Sequence, residues 1–297
     1  MPRPLPLLGT TSHTGVIYAA VGIAALQDAL YSGSKLGADA NVTVFGDPAT
    51  TLLCAEKVIS PHWQCLDAIS LLNRSQCFGC ESCARLVAHT RWSTARSSKY
   101  SSGLPSGGLN RLVKLGSLLL APYQNTFFFD ADVVPCMSLG QLLRLMDAPR
   151  RSSSIWDAAD LLAATNHMYN DKARTGRWAA HEKLGGTPMA WPYLNSGVIL
   201  FRSDREPVQV ALLQWLCSYC DDAQKGVPPG EDQPYLNAAL YQGVRLHHLR
   251  VTALPPIWNP RRWEMRMPKI TNHSAGCCKG SAYLDHGCQK PRRPEAK

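Results

Sequence analysis

Short, continuous apolar runs alternate along the 297-residue chain with longer stretches of helical spacing. After a polar turn, Gly15-Val-Ile-Tyr-Ala-Ala20 reads as a first strand. Residues 23–37 carry Ala25, Leu26, Ala29, Leu30 and Leu36 at roughly helical intervals, and Asn41-Val-Thr-Val-Phe45 is a second strand closed by Gly46-Asp47-Pro48. A strand–helix–strand opening predicts parallel strands joined by a right-handed crossover. Leu109, Leu112, Leu115, Leu118, Leu119 and Leu120 then predict a helix, directly before a buried strand at residues 126–134. A helix near 138–147, a loop-rich stretch over 150–190 and a strong strand from Tyr193 to Phe201 follow. The remaining pattern predicts a helix over 206–220, a loop, a helix over Pro234–Leu240, and strands over Val244–Leu249 and Val251–Leu254. The chain has no internal repeat. The fold class this order predicts is α/β, a mixed, mostly parallel sheet flanked by helices.

Residues 50–108 interrupt the pattern. They hold five of the eleven cysteines and end in the loop Ser97-Ser-Lys-Tyr-Ser-Ser-Gly-Leu-Pro-Ser-Gly-Gly108. The expected organisation is one domain over 15–285, a cysteine-rich insertion at about 50–108, and a basic tail over 286–297. Cys77-Phe-Gly-Cys80-Glu-Ser-Cys83 has two readings: a zinc knuckle completed by Cys65 or His62, or disulfides of an oxidising compartment, which we favour. Cysteine content of this kind suits a secretory lumen such as the Golgi. The N-terminal Met-Pro-Arg-Pro-Leu-Pro-Leu-Leu-Gly, however, is too short and proline-rich for a signal segment. No apolar stretch approaches the length of a membrane span. Of the sequons at Asn41, Asn73 and Asn272, only Asn73 is expected to be usable.

An apolar fraction of 45% with 18% charged residues is that of a globular chain, and the net charge of +9 calls for an anionic partner. Nucleic acid is not favoured, because no helix-turn-helix, zinc-finger or RNA-recognition signature is present. Phosphate chemistry is favoured by residues 126–134, Thr-Phe-Phe-Phe-Asp-Ala-Asp-Val-Val. A buried strand ending in Asp130-Ala-Asp132 sets two hard oxygen donors at a sheet edge, where a divalent cation with positions open for phosphate can bind. Asn195-Ser196-Gly197 opens the next strong strand, and glycine there allows close approach of a hydroxyl-bearing ligand. Glu231-Asp232-Gln233 stands at a loop-to-helix junction, where Asp232 is equally suited to capping the helix. Asn237 follows one helical turn on. His273-Ser-Ala-Gly276-Cys-Cys-Lys279 adds an imidazole, a glycine and a cation. A Rossmann dinucleotide site is not favoured, since no Gly-x-Gly-x-x-Gly follows the first strand.

With these stretches, Leu112-Val-Lys114-Leu and Tyr123–Val134, the chain resembles the GT-A-fold nucleotide-diphospho-sugar transferases. Within them it is similar to the glycogenin-like and lipopolysaccharide-galactosyltransferase-like glycosyltransferase family 8. The resemblance covers about 15–47 and 109–280. It implies a hexosyltransferase taking a nucleotide-diphospho-sugar, UDP by default, to a glycan, protein or lipid acceptor with retention of configuration. It further implies Mn²⁺, or Mg²⁺, on Asp130, Asp132 and His273. Lys279 would neutralise the leaving diphosphate, Lys114 would contact the donor, and Gly276 would lie with them. Asn195, Ser196, Gly197, Asp232 and Gln233 would line the sugar pocket, the last two closest to the chemistry. Two departures stand out. The family's lysine is followed by Pro-Trp, but Gly280-Ser281 follows Lys279, and Val21-Gly22-Ile23 replaces the base-binding loop. A binding-only relative and a zinc-stabilised interaction module are the alternative functions.

Overall fold

The structure, a computed structural model, describes residues 12–58, 60–89, 108–147, 159–165, 191–225, 232–254 and 284–286. Seven strands form one sheet in the order β3-β2-β1-β4-β7-β6-β8. They are β1 (Ser12–Ala19), β2 (Val42–Gly46), β3 (Trp63–Asp67), β4 (Tyr123–Asp130), β6 (Leu161–Thr165), β7 (Leu194–Arg202) and β8 (Val251–Leu254). All run parallel except β7, which is antiparallel to both β4 and β6. A separate two-stranded ribbon pairs β5 (Val133–Pro135) with β9 (Leu284–His286). The helices are α1 (Gly22–Gly33), α2 (Pro48–Lys57), α3 (Ala68–Arg74), α4 (Glu81–His89), α5 (Gly108–Leu119), α6 (Leu139–Asp147), α7 (Glu206–Gln224) and α8 (Gln233–His247).

The run Phe127-Phe128-Phe129 has no polar alternation because both faces of β4 are covered. Phe128 points to the face packed by α3, α4, α5, α7 and α8, beside Ile17 and Ile199. Phe127 and Phe129 point to the opposite face, beside Val16, Tyr18, Val198 and Leu200, under α1 and α6. All three rings are fully buried, and burial of each contributes about 1.5–3 kcal/mol before entropy is charged. Local signals start the helices between strands. Asp47 accepts from Thr50 N at 3.0 Å with Pro48 in the first turn of α2, and Asp67 accepts from Ile69 N and Ser70 N to cap α3.

Several expected boundaries shift. Residues 50–67, read as part of an insertion, instead supply α2 and the edge strand β3, which pairs with β2 in the main sheet. The strand β6 falls inside the stretch read as loop. Leu161–Ala164 are fully buried between β7 and β8, but the run is short and has none of the aromatic or β-branched residues that mark β4 and β7. The strand expected over Val244–Leu249 is the end of α8. Val244 and Leu246 are 36% and 63% exposed, an apolar alternation that no sheet buries, and His248 at φ 56° closes the helix. Helix α1 ends at Gly33, short of residue 37.

Cysteine chemistry is partly decided. Cys54 of α2 and Cys65 of β3 form a disulfide, so Cys65 is not available to complete a zinc knuckle. Among the described residues no group of three or more His, Cys, Asp or Glu is placed to hold a metal ion. Asn73 is exposed on α3, whereas the Asn41 amide donates to Thr14 O at 3.3 Å; Asn272 lies outside the described residues. No helix among the described residues is long and apolar enough to cross a membrane.

Candidate functional site

The parallel strands β1 and β4 end at one edge of the sheet, where Ala19 pairs with Asp130. Antiparallel β7 starts at that edge, so Asn195, Ser196 and Gly197 arrive beside the end of β4, just before Val198 pairs with Phe129. Ligands of open α/β sheets bind at such carboxyl ends. Asp130 is the last residue of β4, and Ala131 and Asp132 make the turn into β5. The Ser32 hydroxyl of α1 donates to Ala131 O at 3.3 Å and fastens that turn. Asp132 is exposed while Val133 is fully buried, so the pair of carboxylates stands where interior gives way to solvent.

Lys114 organises the interior half. It lies on α5, with its side chain 10% exposed, and its ammonium reaches three partners. Asp130 Oδ1 and Asp232 Oδ2 each lie 3.0 Å away, and Nζ donates to Ser196 Oγ at 3.0 Å. The ammonium also sits 5.4 Å from the centre of the Phe128 ring, which closes the site from below. Beyond Lys114 and the Ser196 hydroxyl, the Asp232 carboxylate faces no further side-chain donor among the described residues. Although Asp232 occupies the N-cap position of α8, its side chain does not cap the helix; it is turned to Lys114.

The charges do not balance. Burial pushes the Lys114 ammonium toward the neutral form, but Asp130 and Asp232 more than offset this and hold its pKa above the ordinary value. Burial likewise pushes the Asp232 carboxyl up, and the charge and hydrogen bond of Lys114 outweigh it, so Asp232 stays below the usual carboxylate range. Asp130 goes the other way. Burial, then the negative charges of Asp232 and Asp132, outweigh Lys114 and raise it. Among the described groups, two carboxylates, Asp130 and Asp232, share the one Lys114 ammonium, and the Asp132 carboxylate follows Asp130 at the same edge. That is the chemistry of a site able to accept a cation.

Backbone fits around these side chains with little slack. The Asn195 carboxamide accepts from Gly197 N at 2.6 Å and curls the strand start toward Asp130. A Cβ on Gly197 would lie 2.6 Å from Asp130 Oδ2 and 2.9 Å from Asn195 Oδ1, so glycine is demanded here by proximity. Asn237, fully buried on α8, joins helix to strand. Its Oδ1 accepts from Leu194 N at 2.8 Å, and its Nδ2 donates to Leu194 O at 2.9 Å and Gln233 O at 2.8 Å. Gln233 is buried at the first turn, and the Trp215 indole of α7 donates to Asp232 O at 2.9 Å. Replacing Asn237 with Leu removes three hydrogen bonds to buried backbone, two of them at Leu194, while Gln233 O keeps its helical bond from Asn237 N. It is expected to destabilise by about 3 kcal/mol, since each lost bond that strands a buried group costs about 1–3 kcal/mol and neighbouring losses are not additive. Denaturant midpoints of variant and parent measure this.

Of the residues singled out from sequence, the fold gathers Lys114, Asp130, Asp132, Asn195, Ser196, Gly197, Asp232 and Gln233 around one edge. Glu231, His273, Gly276 and Lys279 lie outside the described residues. What sequence reasoning missed is that Lys114 bridges two carboxylates, and that Trp215 and Asn237 fix the start of α8. Only Asn237 had a local signal, one helical turn beyond Gln233.

No protein-family model matches the chain, and no curated protein matches it. Solved structures do. The galactosyltransferase LgtC, crystallised with donor and acceptor sugar analogues, is 15% identical with a TM-score of 0.51 over 93% of this chain and 87% of that one. Mouse xyloside xylosyltransferase 1, in its apo form, is 13% identical with a TM-score of 0.51 over 93% of this chain and 98% of that one. The fold is therefore of the GT-A glycosyltransferase type, with a mostly parallel seven-stranded sheet flanked by helices.

Proposed function

We propose that this chain is a glycosyltransferase of the family 8, glycogenin-like kind. It transfers a hexosyl group from a nucleotide-diphospho-sugar, UDP-linked, to a hydroxyl of a glycan, protein or lipid acceptor, with retention of configuration. One observation carries the reading: Asp130, Lys114, Ser196 and Asp232 meet at the carboxyl edge of a GT-A-type sheet, with two carboxylates to one ammonium. Asp130 and Asp132 would hold Mn²⁺ or Mg²⁺, with His273 completing the set. The strand β9, which begins five residues after Lys279, pairs with the segment directly after Asp132, so the chain tether is short enough for His273 and Lys279 to serve there. The metal would act as a Lewis acid toward the leaving diphosphate, supported by the Lys279 charge.

The protein's own groups divide the remaining work. Lys114 holds the Asp130 and Asp232 carboxylates in fixed positions and keeps Asp232 ionised. Gly197 and the Asn195 carboxamide give a hydroxyl-rich ring close access to the backbone. Asp232 and Gln233, fixed by Trp215 and Asn237, face the reacting sugar. A catalytically silent donor-binding relative is the second reading, favoured by Val21-Gly22-Ile23 at the start of α1, a triplet without a polar or aromatic side chain.

Nucleotide diphosphate release from a panel of nucleotide-sugars, with and without Mn²⁺, separates the two. Turnover with at least one UDP-sugar is expected, and the Asp130→Asn/Asp132→Asn protein should lose it by about a hundredfold or more, with the metal-dependent thermal shift. Donor binding without turnover would leave the second reading. Neither binding nor turnover in the presence of Mn²⁺ would dismiss both.

A further inference from the structure

Five cysteines form a cluster away from the site just described, where the start of α4 meets the second half of α7. Cys77, Cys80, Cys83 and Cys220 are buried and Cys217 is partly so. The thiols of Cys80 and Cys217 are within hydrogen-bonding reach of each other, as are those of Cys83 and Cys220. The two pairs keep one register: Cys80 and Cys83 are three positions apart, as are Cys217 and Cys220, and each pair is the same distance apart along the chain. Polar contacts continue the ladder in the same direction. Ser82 Oγ donates to Cys217 O at 3.5 Å, Gln224 Nε2 donates to Ser82 O at 2.8 Å, and Arg85 Nε donates to Gln224 Oε1 at 3.2 Å. The helices lie side by side and parallel here, and disulfide geometry needs this facing arrangement.

We propose that Cys80–Cys217 and Cys83–Cys220 are two disulfide rungs that staple α4 to α7, with Cys77 the remaining thiol. The fold already carries disulfides at Cys54–Cys65 and at Cys136, so it matures where thiols are oxidised. Metal is the weaker occupant, because the described cysteines are not placed as a ligand group. The Cys77 thiol also reaches Cys83, but Cys220 faces Cys83 at the same chain offset at which Cys217 faces Cys80. Just before α4, Gln76, Cys77 and Phe78 occupy left-handed backbone at φ 48°, 49° and 55°, and the rungs hold the helix start that this turn delivers.

Hydrogen bonds from Cys217 and then Ser82 keep the Cys80 thiol below its ordinary pKa, while the Cys80 pairing raises Cys217. Cys217 is the partly exposed thiol of the pair and is the one an oxidant reaches. It attacks a disulfide-bearing oxidant, a protein or glutathione disulfide, and expels one thiol. Cys80, the more readily ionised partner, then attacks the Cys217 sulfur and expels the second, so two electrons and two protons pass to the oxidant. The second rung forms likewise. The staple braces α7, whose Trp215 holds Asp232 O and whose Tyr219 ring packs against Tyr235 of α8.

Peptide mapping tests this whether or not the chain proves to be a transferase. Protein from an oxidising secretory host is equilibrated with glutathione disulfide, alkylated without reduction and digested with trypsin. Residues 75–85 and 206–225 should emerge joined, four hydrogens lighter than the separate peptides, with a single alkyl group on Cys77. The Cys80→Ser/Cys217→Ser protein should keep a single link, between Cys83 and Cys220. Separate, fully alkylated peptides, a bridge within 75–85, or stoichiometric zinc or iron in the purified parent would each overturn the proposal. Since the parent map suffices by itself, a variant that fails to fold does not rescue it.

Discussion

Replacing Lys114 with Met should destabilise the protein by about 3–5 kcal/mol, the usual consequence of removing one partner from a buried ion pair. The ammonium lies 3.0 Å from both Asp130 and Asp232, so its loss leaves two carboxylates facing a pocket without their counter-charge. In a domain of this size the change corresponds to a melting temperature lower by roughly 10 °C at neutral pH. The pH dependence distinguishes lost charge from lost packing. In the parent, Lys114 keeps Asp232 below the ordinary carboxylate range, while Asp130 is already raised by burial. Without Lys114 both should lie above their unfolded values. A carboxyl raised in the folded state favours folding only below its unfolded pKa, and that contribution is lost as pH rises through the folded pKa. The deficit of the variant should therefore be largest near neutrality and shrink toward about pH 4. The Lys114→Met/Asp232→Asn protein should regain part of it. Melting curves across pH decide the matter: a deficit that does not change with pH would mean that Lys114 serves through packing alone.

Gly197→Ala should separate function from stability. Gly197 is not among the residues with positive φ, so alanine suits its backbone, and the whole effect comes from one methyl group. That methyl would sit 2.6 Å from Asp130 Oδ2, and the carboxylate cannot simply swing away because Lys114 holds its other oxygen. Overpacking of this kind costs about 1–3 kcal/mol, which a domain with two large cores can absorb. Displacing the carboxylate by a few tenths of an ångström or more is costlier for the proposed reaction. Donor turnover should fall about a hundredfold and the Mn²⁺-dependent thermal shift should weaken. Near-parental turnover in Gly197→Ala would show that Asp130 does not need its observed position, and would remove it from the proposed metal site.

Much of this molecule could be read from the chain. The strands β1, β2, β4 and β7 were legible because each is an apolar run long enough to cross a sheet and is bounded by Gly, Pro, Asp or Asn. Helix α5 was legible because its leucines repeat at helical spacing, and Asp130-Ala-Asp132 because two carboxylates after three aromatics can only emerge at a strand end. These are short-range regularities, imposed by backbone geometry on neighbouring residues. Strand β6 was not legible, because Leu161–Ala164 is a short run of leucines and alanines without the aromatic or β-branched residues that mark β4 and β7, and only its place between β7 and β8 makes it a strand. The apolar Val244 and Leu246 misled for the opposite reason, since helix continuation from Pro234 decided their conformation while they stayed exposed.

The sequence by itself therefore determined the α/β class, the two carboxylates at a strand end and the small polar cluster that opens β7. It also marked Asp232 as the start of a helix. Only the tertiary structure decided that β7 runs against its neighbours, which carries Gly197 to Asp130, and that Asp232 turns from capping its helix to pairing with Lys114. It also decided which cysteines face one another across α4 and α7. Lys114, Asp130 and Asp232 are far apart along the chain, and no local pattern records their meeting. A buried ammonium takes its partners from whatever the packed elements bring within hydrogen-bonding reach, and only the folded sheet and helices fix that.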